Sequence, residues 1–495
     1  MNVWNFLADA AANSPDHCAL RQTGNCTELT YRETAHRALA VAAQLRQNGV
    51  QPGDRVGCLM HNDIDHLLAY FGIAAAGAIL VSLNTRLNKQ EQDDILQHAE
   101  AKILLHDSAH TIRARELEIP ADVITKATTS NFTPTLADKS EPAQLYYTSG
   151  TTGSPKGVVL THENVCTHAL AAVKELGLNN TDTWAHIAPM FHLADAWATF
   201  AITAVHGCHV FLPQFTPQSA LDLLRDERVT ITNLIPTMVN LMVKEPDAAD
   251  REYSLRVMLS GGAPIAPEVV NRILETFSCD YVQTYGMTET SPYLTLSLLT
   301  PELLQLPLEQ QLFWKCKTGR AFHGIELQVV DDHGDAVAND DKAIGEIRVR
   351  GKTVTPGYWR NPAATKAAFD DDQFLMTGDL ATIDTYGFVN IVDRKKDVIK
   401  TGGESVYSPE VEHTLYEHPA ILECAVFGRS DEHWGERVVA AVVLRPGLTA
   451  KPDELIEFCR ERIAGYKTPK QVVFMQSLPR TGSGKVQKRS LRDMT

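Results

Sequence analysis

The sequence predicts an α/β protein: a large N-terminal domain of mostly parallel sheets with helices, a small β-barrel-like subdomain, and a small α+β C-terminal domain. Three observations carry the prediction. Strand-like apolar runs alternate with helical patterns through the first two-thirds of the chain. From Ile325 the texture changes to short alternating strands. The charged stretch Asp393-Arg-Lys-Lys-Asp397 then precedes a fresh alternation of helices and strands. At 495 residues the chain also exceeds what one hydrophobic core supports, and its 44% apolar content leaves enough for large cores.

The elements follow in order. Val3, Phe6, Leu7 and Ala10 stand at helical spacing, so the N-terminal segment reads as an amphipathic helix. It lacks a basic n-region and an unbroken apolar core, and no signal peptide is expected. Leu67 to Leu83 is uncharged and mostly apolar but contains Gly72, Gly77 and Ser82. That pattern suits a buried helix turning at Gly77 into a core strand, not a membrane span. Val56–Met60, Ile103–His106, Thr232–Ile235, Val257–Ser260 and Tyr281–Thr284 read as strands of parallel sheets. Ile325–Val330 and Gly345–Arg350 alternate around an Asp332-His-Gly-Asp335 turn, the pattern of a small antiparallel barrel or sheet. After Asp393, a helix from Ser408-Pro409-Glu410 and strands at Glu423–Phe427 and Arg437–Val443 amount to a second domain.

A net charge of −15 excludes the basic face that nucleic acid or an anionic membrane demands, while leaving room for local cations that bind an anionic substrate. Nine cysteines are scattered without Cys-x-x-Cys pairs or nearby histidine pairs, so their spacing indicates neither a zinc site nor a disulfide framework. Isolated thiols suit a reducing cytosol, and the C-terminal Arg-Asp-Met-Thr is no peroxisomal address. A cytoplasmic protein is expected.

The densest chemical signal is Tyr147-Thr-Ser-Gly-Thr-Thr-Gly-Ser-Pro-Lys-Gly157. Glycines let a backbone turn tightly, hydroxyls and backbone N–H groups suit phosphate oxygens, and Lys156 adds a compact cation. Gln144–Tyr147 leads in and Val158–His162 leads out as strands would, so the loop is held in place. A P-loop needs Gly, four residues, then Gly-Lys-Ser/Thr opening a helix. Here Pro155 stands where the helix would start, and Gly484-Lys485 has Pro479 in place of the first glycine and Val486 after it. No Gly-x-Gly-x-x-Gly fingerprint follows an early strand.

The Thr-Ser-Gly-Thr-Thr-Gly-x-Pro-Lys-Gly segment resembles the signature loop of the adenylate-forming enzymes, which include acyl-CoA synthetases, luciferases and peptide-synthetase adenylation domains. Further segments resemble that family's motifs in order: Gly261-Gly-Ala-Pro264, Tyr285-Gly-Met-Thr-Glu-Thr290, Thr377-Gly-Asp-Leu380, Asp393-Arg-Lys-Lys-Asp397 with Gly402-Gly-Glu404, and Pro479-Arg-Thr-Gly-Ser-Gly-Lys485. The resemblance covers essentially the whole chain.

It implies an AMP-forming acid–thiol ligase, most simply an acyl-CoA synthetase using ATP, Mg²⁺ and coenzyme A. A carboxylate attacks the α-phosphorus of ATP, and a thiol then displaces AMP. By the resemblance, Thr148, Ser149, Gly150, Thr151, Thr152 and Lys156 cradle the β- and γ-phosphates, Thr288 contacts the α-phosphate and Glu289 holds Mg²⁺. Tyr285 and Gly286 lie along the adenine, with Gly262 and Ala263 opposite; Asp379 and Arg394 take the ribose hydroxyls. Lys485 is the catalytic cation of the first step. Domains of 1–393 and 397–495 are expected around a hinge at 394–396 centred on Lys396. The mobile C-terminal domain then carries Lys485 and brings Gly402 and Gly403 to a pantetheine channel.

Pro189-Met-Phe-His192-Leu-Ala resembles the segment beside the carboxylate, with His192 an aromatic gate and Leu193, Ala194, Gly286 and Met287 as apolar walls. Asp195 is expected to pair inside the protein, with a backbone group or a helix cap, more readily than with a polar substrate. Small side chains at Ala194, Gly261 and Gly286 favour an aromatic or medium-chain acid over acetate. A carrier-protein phosphopantetheine is the alternative acceptor, and either a monomer or a homodimer fits.

Overall fold

The computed structural model describes residues 1–22, 27–110, 118–120, 132–148, 155–263, 265–480 and 486–494. It divides into two compact units, Met1–Leu327 with Val349–Leu375, and Gln328–Arg348 with Met376–Thr495. The chain passes between them inside three strands, Ile325–Val330, Gly345–Gly351 and Leu375–Ile383.

Two sheets build the first unit. In the larger, strands Asp280–Gly286, Val257–Gly261, Ile231–Leu234, Thr183–His186, Cys208–Phe211 and Cys18–Gln22 lie side by side in that order, all parallel. Antiparallel strands Tyr293–Leu296 and Thr27–Thr30 flank them. In the smaller, Ala101–His106, Arg55–Leu59, Ile79–Ser82 and Pro142–Thr148 run parallel, and Lys156–Thr161 returns antiparallel. Parallel strands need covered faces, which accounts for their continuous apolar runs. The helix Ile64–Ala75 is buried all round, and Gly77 at φ +70° turns the chain into the strand Ile79–Ser82. The predicted helix at Phe6, Leu7 and Ala10 is Trp4–Asn13, with those residues buried. Reciprocal side-chain caps fix helix starts at Thr30 with Glu33, Asn88 with Glu91, and Thr161 with Asn164.

In the second unit, the portions of the crossing strands that belong to it join Val389–Arg394 in a four-stranded sheet. A second sheet pairs the long antiparallel strands Ile421–Asp431 and Gly435–Leu444 and adds Ile399–Thr401, Glu404–Val406 and Gln471–Phe474. Val411 and Leu415 of the helix Ser408–Tyr416, and Leu455 and Cys459 of the helix Pro452–Arg460, close one core over this sheet. Among the described residues, no helix is long and apolar enough to cross a membrane.

Candidate active site

In the first unit the strands on either side of the glycine-rich segment, Pro142–Thr148 and Lys156–Thr161, pair antiparallel. Tyr147 faces Gly157 and Thr148 faces Lys156 in the ladder. A Cβ at 157 would meet the Tyr147 ring at 2.9 Å, so a larger residue there requires that ring to shift. Ser149, Gly150, Thr151 and Thr152 lie outside the described residues.

The Tyr285–Thr290 segment ends the strand Asp280–Gly286 and continues into a 3₁₀ turn, Thr288–Thr290. The turn is tied back on itself: Met287 N–H and the Thr290 hydroxyl donate to the Pro292 carbonyl at 3.0 and 2.5 Å. Ser291 Oγ reaches the Thr353 carbonyl at 2.7 Å. Glu289 is thereby buried, its backbone carbonyl accepting from Thr355 N–H at 2.8 Å. Its Oε1 accepts the phenol of Tyr358 at 2.9 Å. The Lys156 ammonium stands 5.2 Å from the centre of the same Tyr358 ring. A cation and a carboxylate from motifs far apart in sequence thus share one tyrosine. Burial and then the Glu289 charge push the Tyr358 hydroxyl above its ordinary range, keeping it a neutral donor. Tyr358 carries no signature in the sequence beyond a Gly-Tyr-Trp triplet.

Two glycines are not where open space lies. A Cβ on Gly261 would fall 2.2 Å from Thr284 Oγ1, and one on Gly286 would fall 1.9 Å from the Pro292 carbonyl oxygen. Both positions are already filled by neighbours, so they do not enlarge an acyl pocket as expected from their size. Gly262 differs: its φ is +85° and nothing approaches its Cβ position. Ala263 is exposed beside it, its carbonyl held by Gln283 Nε2 at 3.1 Å.

His192 caps the helix Leu193–Ala204, its Nδ1 accepting from Ala194 N–H at 3.1 Å. Leu193 is buried, while Ala194 and Met287 are half-buried. Asp195, in the first turn, is fully buried and paired inside the protein, but with side chains: Trp184 Nε1 at 3.2 Å and His186 Nδ1 at 2.5 Å. His186 Nε2 meets His209 Nδ1 at 3.0 Å, and His209 Nε2 meets Thr203 Oγ1 at 3.1 Å. Burial raises the Asp195 carboxyl and His186 opposes that rise. A cleft of about 380 Å³ opens nearby, lined by His61, Asn62, Arg86, Pro189, Phe191 and Met238 among others, but not by Leu193, Ala194, Gly286 or Met287.

In the second unit, Asp379 and Arg394 face each other across the antiparallel pair Leu375–Ile383 and Val389–Arg394. Arg394 Nε lies 3.4 Å from Asp379 Oδ1, with the arginine half exposed and the aspartate mostly buried. Gly378 takes φ +74°, and its N–H donates to Glu346 Oε1 at 3.1 Å. Glu346 also accepts Lys395 Nζ at 2.9 Å, a buried acceptor with no sequence signature. Lys396 is exposed in the 3₁₀ turn Lys395–Asp397. Just before the turn, buried Asp393 accepts Ser408 N–H at 2.7 Å, and Lys488 joins Ser408 Oγ to Glu412 at 2.5 and 2.8 Å.

Gly402 and Gly403, at φ +59° and +85°, form a two-residue turn that closes Thr401 against Glu404. Two consecutive positive φ values are the reason for the glycine pair. Trp434 packs beside Gly402, whose N–H donates to the Trp434 carbonyl at 2.8 Å. Lys485 lies outside the described residues, in a segment bounded by the bridge between Arg480 and Val486.

A two-unit α/β fold with this ordered set of motifs defines an adenylate-forming enzyme. The AMP-binding enzyme family matches residues 7–359, and the AMP-binding enzyme C-terminal domain matches residues 410–485. A long-chain-fatty-acid–CoA ligase of Thermus thermophilus is 35% identical, across 100% of this chain and 95% of its own. A feruloyl-CoA synthase of Amycolatopsis is 36% identical, across 97% and 96%. The solved structure of ATP-bound MatB from Rhodopseudomonas palustris is similar with a TM-score of 0.89 at 30% identity, covering 100% of this chain and 99% of that one. The chain belongs to the AMP-binding enzyme family. It is an AMP-forming acid–CoA ligase, with ATP, Mg²⁺ and CoA as its nucleotide, ion and thiol.

Proposed function

We propose that this ligase activates an aromatic or medium-chain carboxylic acid and passes the acyl group to CoA. The observation that carries the site assignment is the Lys156–Tyr358–Glu289 arrangement. A buried carboxylate is a hard oxygen donor suited to Mg²⁺, and a lysine at the end of a glycine-rich segment suits a phosphate. Mg²⁺ would supply charge neutralisation between phosphate oxygens, held by Glu289.

In this reading Thr148, Ser149, Gly150, Thr151, Thr152 and Lys156 grip the leaving pyrophosphate, and Thr288 contacts the α-phosphate. Tyr285 and Gly286 lie along the adenine, with Gly262 and Ala263 opposite. Asp379 accepts from the ribose hydroxyls and Arg394 donates to them. Lys485 offsets the negative charge that builds as one anion attacks another, the place where an electrostatic contact contributes most. His192 gates the acid. Domains 1–393 and 397–495 turn about 394–396, with Lys396 the pivot, so that Gly402 and Gly403 replace Lys485 for thioester formation.

Relatives named for long-chain fatty acids and for ferulate support an acid larger than acetate. A carrier-protein phosphopantetheine presents the same thiol as CoA and is the second reading. The deciding experiment is a carboxylic-acid panel scored by pyrophosphate release with CoA, with a phosphopantetheinylated carrier, and with neither. AMP and thioester appearing with CoA and an aromatic or medium-chain acid is the expected result. Turnover of acetate alone, or thioester formed only on the carrier, overturns the reading.

A further inference from the structure

The spacing of cysteine and histidine along the chain gives no metal signature, yet folding assembles one in the first unit. His61 follows the strand Arg55–Leu59, and Asp107 and His110 follow the parallel neighbour Ala101–His106. All three side chains therefore gather at the carboxyl ends of adjacent strands. One carboxylate takes both rings: His61 Nδ1 lies 2.8 Å from Asp107 Oδ2, and His110 Nδ1 lies 2.5 Å from Oδ1. The two imidazoles stack with centroids 4.9 Å apart and planes 28° from parallel. One ligand atom from each residue lies within 4.8 Å of the other two.

The surroundings hold this geometry in place. His61 N–H donates to Asp107 Oδ2 at 2.8 Å, and the His61 carbonyl accepts from His66 Nδ1 at 3.0 Å. The Asp107 carbonyl accepts from His110 N–H at 3.1 Å. Side-chain exposures of 30% for His61 and 13% for each partner leave the group reachable. His61 also forms part of the cleft wall.

We propose that His61, Asp107 and His110 bind one divalent transition-metal ion of the zinc class. Two imidazole nitrogens and a carboxylate oxygen suit Zn²⁺, Co²⁺ or Ni²⁺ and disfavour Mg²⁺ and Ca²⁺, which select oxygen donors. Three protein ligands leave a fourth position open, unlike a closed structural site. On binding, each neutral ring carries its proton on Nε2 and gives the Nδ1 lone pair to the ion; a ring that starts doubly protonated releases one proton. A hub carboxylate needs donors, but any polar side chains would serve. Two stacked rings that aim the same nitrogen at one carboxylate form the donor set of an ion.

The test uses the full chain stripped with a chelator and titrated with Zn²⁺ by calorimetry, and with Co²⁺ by visible absorption, in excess Mg²⁺. The expected result is one ion per chain, bound about tenfold or more weakly in His61→Ala and His110→Ala, with Glu289→Gln unchanged. Circular dichroism and Tm of each ion-free variant check folding, and His110→Gln replaces any variant that does not fold. Absence of saturable binding by the unaltered chain overturns the site. So does undiminished affinity in folded His110 variants, or a loss confined to Glu289→Gln.

Discussion

The Tyr358 hydroxyl donates to Glu289 Oε1 at 2.9 Å while the same ring lies under the Lys156 ammonium. One aromatic side chain thus orients the carboxylate and borders the lysine of the proposed nucleotide site. A hydrogen bond to a charged acceptor contributes about 1.5–3 kcal/mol. Tyr358→Phe should therefore raise the Mg²⁺ concentration needed for half-maximal pyrophosphate exchange by about tenfold or more, with Tm little changed. An unchanged Mg²⁺ dependence would remove Tyr358 from the site.

Lys485→Ala should abolish carboxylate-dependent pyrophosphate exchange by about 3–4 kcal/mol of transition-state stabilisation. It should still convert supplied acyl-AMP to thioester, since the second half-reaction needs no cation at the attacking carboxylate. Normal exchange would sink the assignment.

Lys396→Pro fixes φ at the proposed pivot. Thioester formation from supplied acyl-AMP should fall further than pyrophosphate exchange. Equal loss of both would argue against a hinge there.

Gly286→Ala would drive a methyl into the Pro292 carbonyl, 1.9 Å from its Cβ position, and displace the turn that carries Thr288 and Glu289. All acids in a panel should lose turnover by a similar factor, because the defect lies in nucleotide handling. Selective loss of bulky acids would instead return Gly286 to the acyl pocket wall.

Asp182 anchors the parallel sheet away from the motifs. Burial opposes its ionisation, but Arg256 at 2.8 and 2.9 Å, Thr230 Oγ1 at 2.7 Å and Asn179 N–H at 3.0 Å hold the carboxyl below its ordinary value. A carboxyl lowered by folding stabilises the protein above its unfolded pKa of 3.8, and that contribution is lost as pH falls through the folded value. Arg256→Met removes hydrogen bonds to a charged acceptor and should cost about 2 kcal/mol at neutral pH. The Tm gap to the unaltered protein should narrow under acid, and a gap that is constant with pH would show the arginine acts by packing alone.

Much of this architecture is local and so legible in the chain. Gly77 between an apolar helix and an apolar strand, the Asp331–Asp335 turn, and Pro409 at a helix start each act over a few residues, where periodicity and turn chemistry are decisive. The motif order likewise needs no coordinates. Side-chain partnership is different. Asp195 was open to a backbone partner or a helix cap, and it pairs with Trp184 and His186, one strand away. Gly261 and Gly286 read as vacant space because a missing side chain looks the same whether the gap is filled or open.

By itself, then, the sequence determined the α/β class and a chain of motifs belonging to adenylate formation. Tertiary structure decided which groups meet. Tyr358 lies 69 residues from the Glu289 it serves, and Asp107 lies 46 from the His61 it joins. Contacts at such separations depend on strand order and register, which bring distant segments within hydrogen-bond reach only when the whole sheet has formed.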